Sequence, residues 1–288
     1  MSRRIAALLT CFNRKDKTVN CIERLFLQTL PTDIELVLFV TDDASADGTA
    51  NAIRKQFPQV HLLAGDGSLY WDGGMRVAFA AALEEDFDFY LWINDDTMLE
   101  SDAIRVLLES HSTLLERTGR DPIVVGSIRD PQSGVLTYGG QVRSSFWHPM
   151  KMRRVDPASV PQQCDTMNGN CVLIPRAVAR IVGNISSEFT QSMGDSDYGL
   201  RAQKAGFQVW TAPGWLGTCC RNPVRGTWQD PLVPLTKRWK LICGPKGLPP
   251  REWRTYTSRH AGVFWPLFWC MPYIRVFLLS FKRASISG

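Results

Sequence analysis

Leu91-Trp92-Ile93-Asn94-Asp95-Asp96-Thr97 is an apolar run that stops abruptly at two adjacent carboxylates. The same event occurs once upstream, where Leu36-Val37-Leu38-Phe39-Val40 runs straight into Thr41-Asp42-Asp43. Short apolar runs bounded by polar turns read as buried strands. In a parallel α/β sheet, ligands bind at the carboxyl ends of such strands. Two acidic strand ends on one sheet point to a site for a metal ion and a polyhydroxylated, phosphorylated ligand.

Outward from these strands the texture alternates. Ile5–Thr10 reads as the first strand, followed by the turn Cys11-Phe12-Asn13-Arg14 and a helix with Val19, Ile22, Leu25 and Phe26 on one face. Asp47-Gly48-Thr49 opens a helix reaching Phe57, and Val60–Leu63 is a third strand. The loop Gly65-Asp66-Gly67-Ser68 leads through Trp71-Asp72-Gly73-Gly74-Met75-Arg76 into a helix over Val77–Leu83. Phe87–Ile93 is a fourth strand and Ser101–Leu115 a long amphipathic helix. Such alternation predicts βαβ units and a mixed, mostly parallel sheet flanked by helices.

Beyond Arg120, Ile123–Ile128 and Val135–Tyr138 read as strands flanking the turn Asp130–Gly134, and Cys171–Ile174 as another. Pro175-Arg176 opens a helix to Val182. Gly194-Asp195-Ser196-Asp197 precedes a helix over Tyr198–Ala205, with Gly206 as its stop. From Pro213 onward Pro and Gly are frequent and the periodicity weakens. This divides the chain into an α/β domain over residues 1–220 and an extension over 221–288.

The extension is basic and rich in tryptophan. It holds 12 Lys/Arg against 2 Asp/Glu and five of the ten tryptophans, whereas residues 1–220 hold 21 against 26. That suits an anionic membrane surface or an anionic ligand. Its plainer reading is a solvated basic face over a few core aromatics. No nucleic-acid module accompanies the charge, so nucleic acid is not an expected partner. Ala261–Phe281 carries a single charge, Arg275, but Pro266 and Pro272 interrupt it. The expectation is an in-plane or protein-packed helix rather than a membrane span. The eight cysteines form no C-x-x-C pair, and Met1-Ser2-Arg3-Arg4 leads into an apolar run too short for a secretory signal. Free thiols in a reducing cytoplasm are expected.

Each acidic group has a structural reading beside a chemical one. Asp95 and Asp96 could hold a divalent cation such as Mg²⁺ or Mn²⁺ against a diphosphate, or cap the helix that follows. Asp43 could accept from a base or ribose, or serve the turn Asp43–Gly48. Gly73-Gly74 could admit a ligand to a helix N-terminus, with Arg76 adding a cation, or could be turn chemistry. Asp195 and Asp197 could deprotonate an acceptor hydroxyl or cap their helix. Neither a Rossmann fingerprint nor a P-loop is present, which argues against a dehydrogenase or P-loop ATPase. His61, His111, His148 and His260 are scattered and individually uninformative.

Taken in order, these pieces resemble the inverting family 2 glycosyltransferases of GT-A fold. The matching segments are Leu9–Arg14, Val40–Thr49, Asn94-Asp95-Asp96 in the place of the D-x-D, Asn168-Gly169-Asn170, and Asp195–Arg201 with Gly206. They cover residues 5–215, and Trp71–Arg76 is similar to enzymes that build bacterial surface polysaccharides. The resemblance implies that Thr10, Phe12, Arg14 and Asp43 line a nucleotide pocket and that Asp95 sits near ribose or sugar. It implies Asp96 as ligand of Mn²⁺ or Mg²⁺, Gly74 and Arg76 facing the donor, and Asp195 as the catalytic base with Asp197 beside it. The implied partners are a nucleoside-diphosphate-sugar and a glycan or lipid-linked acceptor, met at the inner face of the cell membrane through the extension. Two positions depart from the pattern: Gly194 replaces the acid that usually precedes the base, and Asn94 stands where many relatives carry Asp. The rival readings are a sugar-nucleotide nucleotidyltransferase, which would want a Gly/Lys-rich activating loop that Thr10–Asp16 does not supply, and a non-catalytic scaffold or glycan-binding subunit.

Overall fold

The structure, a computed structural model, describes residues 2–221 and 223–284. The chain opens as β1 (Arg3–Cys11), α1 (Lys15–Phe26), β2 (Ile34–Asp42), α2 (Thr49–Gln56), β3 (His61–Ala64), α3 (Tyr70–Leu83), β4 (Phe89–Ile93), β5 (Met98–Leu99) and α4 (Ala103–Thr118). Short strands follow: β6 (Ile123–Val125), β7 (Ile128–Arg129), β8 (Leu136–Tyr138), β9 (Gly140–Arg143), β10 (Met152–Arg154), β11 (Gln162–Cys164), β12 (Thr166–Met167) and β13 (Cys171–Pro175). Next come α5 (Arg176–Val182), α6 (Gly194–Lys204), β14 (Val209–Thr211) and β15 (Gly217–Thr218), then α7 (Leu235–Cys243), α8 (Pro250–His260) and α9 (Trp265–Ala284).

Eight strands form one sheet in the order β11-β14-β6-β13-β4-β1-β2-β3. The pairs β1–β2, β1–β4, β2–β3 and β6–β14 are parallel, while β13 runs antiparallel to both β4 and β6. The result is the mixed, helix-flanked α/β sheet that the alternation predicts. Register places Cys11 opposite Asp42 and Leu8 opposite Trp92. The carboxyl ends of β1, β2 and β4 therefore open along one edge, where their acidic sequels gather.

Period-2 alternation along β1 builds two cores. Ile5, Ala7 and Leu9 pack with Ile22, Leu25 and Leu107 under α1 and α4. Ala6 and Leu8 face the other way, with Phe79, Trp92 and Tyr198 under α3 and α6. There the Trp92 ring lies edge-on to Phe79 (5.7 Å) and Tyr198 (4.9 Å).

Three sequence expectations need correction. The helix read as Val77–Leu83 starts at Tyr70, so Gly73-Gly74 lie inside it. A Cβ on Gly74 would fall 2.7 Å from Thr10 Cβ, so glycine here brings α3 against β1. Ile123–Ile128 is not one strand: its two ends belong to different sheets, broken at Gly126 and Ser127. The extension, aperiodic in sequence, holds helices whose first residues follow prolines (Pro234, Pro249), a stop-and-start pattern that mimics loop composition.

The extension packs on the body of the protein. Trp253 and Tyr256 of α8 join Phe189, Met193 and Leu200 in a third core, with Trp269 and Tyr273 of α9 against it. Ala261–Phe281 forms a 3-10 turn (Gly262–Phe264) and α9, with Pro272 inside the helix. No helix among the described residues is long and apolar enough to cross a membrane. All eight cysteines are free.

Candidate active site

A cleft of about 500 Å³ opens at the shared edge of β1, β2 and β4. Thr10, Phe12, Arg14, Asp43, Asp95 and Asp96 all line it. The turn after β1 is shaped by Asn13 in the left-handed region (φ 51°). Its N–H donates to Ser45 Oγ (2.8 Å), and its Oδ1 accepts from the Ala46 N–H (2.8 Å). This ties the first acidic loop to the β1 turn and leaves Phe12 half exposed at the mouth.

Asp95 and Asp96 share one cation. Arg14 Nη1 lies 3.1 Å from Asp95 Oδ1 and 3.0 Å from Asp96 Oδ2, with Lys17 Nζ 3.8 Å from the latter. Asp95 is buried and also accepts from Thr18 Oγ1 (3.4 Å). Burial pushes its carboxyl up to about 6, against the pull of Arg14. The Cys219 thiol donates to Asp96 Oδ1 at 3.4 Å and is itself pushed up to about 12, chiefly by burial and then by Asp96. The donor set fits a hard divalent cation: two adjacent carboxylates already bridged by a positive group. Among the described residues no three His, Cys, Asp or Glu side chains converge as a complete metal cage. An ion here would need phosphate oxygens to fill its shell, which is how Mg²⁺ usually binds.

Asp43 lines the cleft and also holds the loop above it. Its Oδ1 accepts from the Gly67 N–H (2.8 Å) and its Oδ2 from the Tyr70 N–H (3.1 Å). Asn94, where the resemblance expects an acid, accepts the indole N–H of Trp71 at 2.7 Å. Trp71 thereby spans the site. A Cβ on Gly169 would fall 2.5 Å from Trp71 Cζ2 and 3.4 Å from Asp195 Cβ, so the ring connects the acidic pair to the neighbourhood of Asp195.

Asp195 sits in the first turn of α6. Its Oδ2 accepts from the Gly169 N–H (2.9 Å) and its Oδ1 from the Ser196 N–H (2.7 Å). Burial raises its carboxyl above the usual range against these two bonds and one with Asn168. Asp197 is placed differently. It is fully buried and bonded to Arg201, Arg259 and His260. Burial would raise its carboxyl, but the bonds from His260 and Arg201 outweigh that and hold it low.

The donor-facing expectation for Gly74 and Arg76 does not match their surroundings. Gly74 is buried against Thr10, and Arg76 Nη1 donates to the carbonyls of Ser186 (3.0 Å) and Phe189 (3.2 Å). Neither lines the cleft; the early start of α3 turns both into the fold.

Sequence reasoning missed Tyr70, Trp71, Tyr138, Gln191 and Lys246, all of which line the cleft. Only Trp71 had a local signal, its place before the Gly73-Gly74 pair. Lys246 arrives from the extension, on the tight turn Gly244–Leu248. The Leu248 N–H donates to the Ile242 carbonyl (2.6 Å) and Tyr273 Oη to the Leu248 carbonyl (2.7 Å).

Known proteins resemble this chain in sequence and in fold. Residues 7–180 match the family profile described as Glycosyl transferase family 2. An N-acetylglucosaminyl-diphospho-decaprenol L-rhamnosyltransferase of Mycobacterium tuberculosis is 26% identical over 233 residues, covering 74% of this chain and 75% of its own. A mannosyltransferase from Pyrobaculum calidifontis, solved with GDP-Man and Mn²⁺, superposes with a TM-score of 0.57 at 14% identity, covering 100% of this chain and 76% of its own. TarS of S. aureus (residues 1–349), solved with UDP, gives 0.52 at 12% identity, covering 88% and 70%. At these identities the two structures speak for the GT-A fold.

Proposed function

This chain belongs to glycosyl transferase family 2, and we propose that it moves one sugar from a nucleoside-diphosphate donor to a hydroxyl of a glycan or lipid-linked acceptor, inverting the anomeric carbon. The observation that carries this reading is the Asp95–Asp96 pair at the sheet edge, bridged by Arg14 inside a cleft large enough for a nucleotide-sugar. Phe12 offers a flat face for the base, with Thr10 and Asp43 beside it. Asp96, flanked by Asp95, would hold Mn²⁺ or Mg²⁺, which supplies positive charge to a departing diphosphate. Arg14 and Lys246 add side-chain cations to the same cleft.

Asp195 takes the proton of the acceptor hydroxyl. The freed oxygen bonds to the anomeric carbon as the bond from that carbon to the diphosphate oxygen breaks. A carboxyl raised by burial is a stronger base than an ordinary aspartate.

The rhamnosyltransferase relative's name includes a lipid-diphosphate-linked sugar, which favours a lipid-linked acceptor and a role in bacterial surface polysaccharide or lipopolysaccharide synthesis. Contact with the inner face of the cell membrane would come through the extension. Val263, Phe264, Leu267, Met271, Ile274 and Leu278 are exposed along the 3-10 turn and α9. The exposed pair Phe146–Trp147 stands beside them, joined through the contact of His148 with Phe268 (4.9 Å). Apolar rows flanked by Lys and Arg suit an anionic bilayer. Failure to co-sediment with anionic liposomes at low salt would remove the membrane contact from this proposal.

The deciding experiment is calorimetry of UDP, GDP, dTDP and CDP, each with and without Mn²⁺. Metal-dependent binding of one nucleotide, lost in Asp96→Ala, is the expected result. No binding of any of the four by folded protein would overturn the proposal.

A further inference from the structure

The loop that delivers Asp195 is fastened along its length to the first turns of α3. The Trp71 N–H donates to Gln191 Oε1 (3.2 Å), and the Asp72 N–H to the Thr190 carbonyl (3.0 Å). Arg76 holds the Ser186 and Phe189 carbonyls further back. At the end of the loop the Gly194 N–H, one residue before Asp195, donates to Asp72 Oδ2 at 3.3 Å.

Asp72 is fully buried, and its Oδ1 has no hydrogen-bond partner among the described residues. It also occupies the volume a side chain at 194 would need. A Cβ built on Gly194 would fall 2.6 Å from Asp72 Cγ, with Oδ1 closer still. Gly194 has negative φ, so backbone conformation does not demand glycine there; the neighbouring carboxyl does. The charged groups acting on Asp72 are Asp195, Glu252 and Arg76. Burial first, then Asp195, push the Asp72 carboxyl well above the usual range.

We infer that Asp72 is the positioning residue of the base-bearing turn: its carboxyl fills the space left by Gly194 and holds the Gly194 N–H, fixing how Asp195 leaves α6. The acid that the resemblance expects at 194 is supplied from α3 instead. This rests on Asp195 being the base, but its core claim concerns the turn and is measurable without any substrate.

The test uses the full chain and begins with amide hydrogen exchange. Asp72→Ala should speed exchange of the amides at 193–197 at least tenfold while the main sheet stays protected. Asp72→Asn, which keeps the size and an acceptor oxygen, should restore protection. In thermal melts Gly194→Ala should lower Tm, and adding Asp72→Ala should raise it again, because the clash is gone. Turnover is followed as nucleoside diphosphate release with UDP-glucose, GDP-mannose and dTDP-rhamnose as probes. Wherever one turns over, Asp72→Ala should lower kcat tenfold or more with donor KM changed less than twofold, and Asp72→Asn should recover most of that loss.

Unchanged exchange at 193–197 in Asp72→Ala overturns the inference, as does equal damage from the Ala and Asn variants. If Asp72→Ala does not fold, the Asn variant and the Gly194→Ala melts decide alone. Failure of the base reading shows separately, as full turnover by Asp195→Asn with the exchange results intact.

Discussion

His260 Nε2 donates to Asp197 Oδ1 at 2.8 Å, joining the last residue of α8 to the first turn of α6 with both side chains fully buried. Arg201 grips the other carboxylate oxygen at 2.7 Å, and Arg259 adds a contact at 3.2 Å. Asp197 is thereby an anchor between the extension and the segment that carries Asp195. His260→Ala strips one donor from a buried carboxylate, which costs about 1–3 kcal/mol. Melting of the variant should show that loss. A Tm equal to wild type would mean that the bond contributes nothing.

The same pair sets a pH dependence. Burial holds the His260 imidazole below its ordinary value despite the opposing pull of Asp197, and it likewise lowers His111 despite Asp121. In the unfolded chain both rings protonate near 6.5, whereas in the fold they resist. Below that value the unfolded state binds more protons, so stability is fully present above about 6.5 and is lost as pH falls through and below it. The slope is at most about 1.4 kcal/mol per pH unit for each ring. Urea midpoints between pH 8 and 5 should decline on the acid side, less steeply in His260→Gln. An identical slope in that variant would refute the assignment.

Gly74→Ala puts a methyl group against Thr10, where α3 crosses β1. Overpacking of this kind costs about 1–3 kcal/mol, a Tm loss of roughly 2–5 °C in a protein of this size. The damage should appear as lost stability before any loss of nucleotide affinity. The reverse order, weakened nucleotide binding at unchanged Tm, would return Gly74 to the donor-facing role that sequence suggested.

That case also marks where sequence stopped being informative. β1, β2 and β4 were legible because a buried strand must be apolar on both faces and its ligand-facing end must not be. The acidic pair was legible as the end of such a strand, whereas Asp195, read as preceding a helix over Tyr198–Ala205, lies inside α6, which starts at Gly194. Gly73-Gly74 misled because two glycines read as a turn, and only the approach of Gly74 to Thr10, 64 residues earlier in the chain, explains a glycine there inside a helix. Lys246 was invisible for a similar reason: nothing near it in sequence says that Gly247, pressed against the Ile242 carbonyl, folds its turn over a cleft whose other lining residues lie between 10 and 191.

Arg14 occupies the charge position that a divalent cation would take between Asp95 and Asp96. Without nucleotide the two cations compete, so Arg14→Ala should bind Mn²⁺ more tightly. The guanidinium is partly exposed, so the gain is modest, about 3- to 10-fold or up to ~1.4 kcal/mol. Calorimetric titration of Mn²⁺ into nucleotide-free protein measures it. Weaker binding in the variant would mean that Arg14 orders the carboxylates for the ion rather than excluding it.

Lys246 tests whether the extension completes the donor site. Its ammonium is exposed at the cleft and has no ion pair among the described residues, so it is available to an anion. An ammonium against a diphosphate forms a charge-assisted contact, and its loss should weaken binding by about 1–2 kcal/mol, roughly 5- to 30-fold. Lys246→Met keeps the apolar stem and removes the charge. Nucleoside diphosphate affinity should fall in that variant, most of all at low salt where screening is weakest. Nucleoside monophosphate affinity should fall much less, because the second phosphate is the group in question. Equal losses for both nucleotides would place Lys246 against the base or ribose, and no loss for either would leave the donor site to residues before 220.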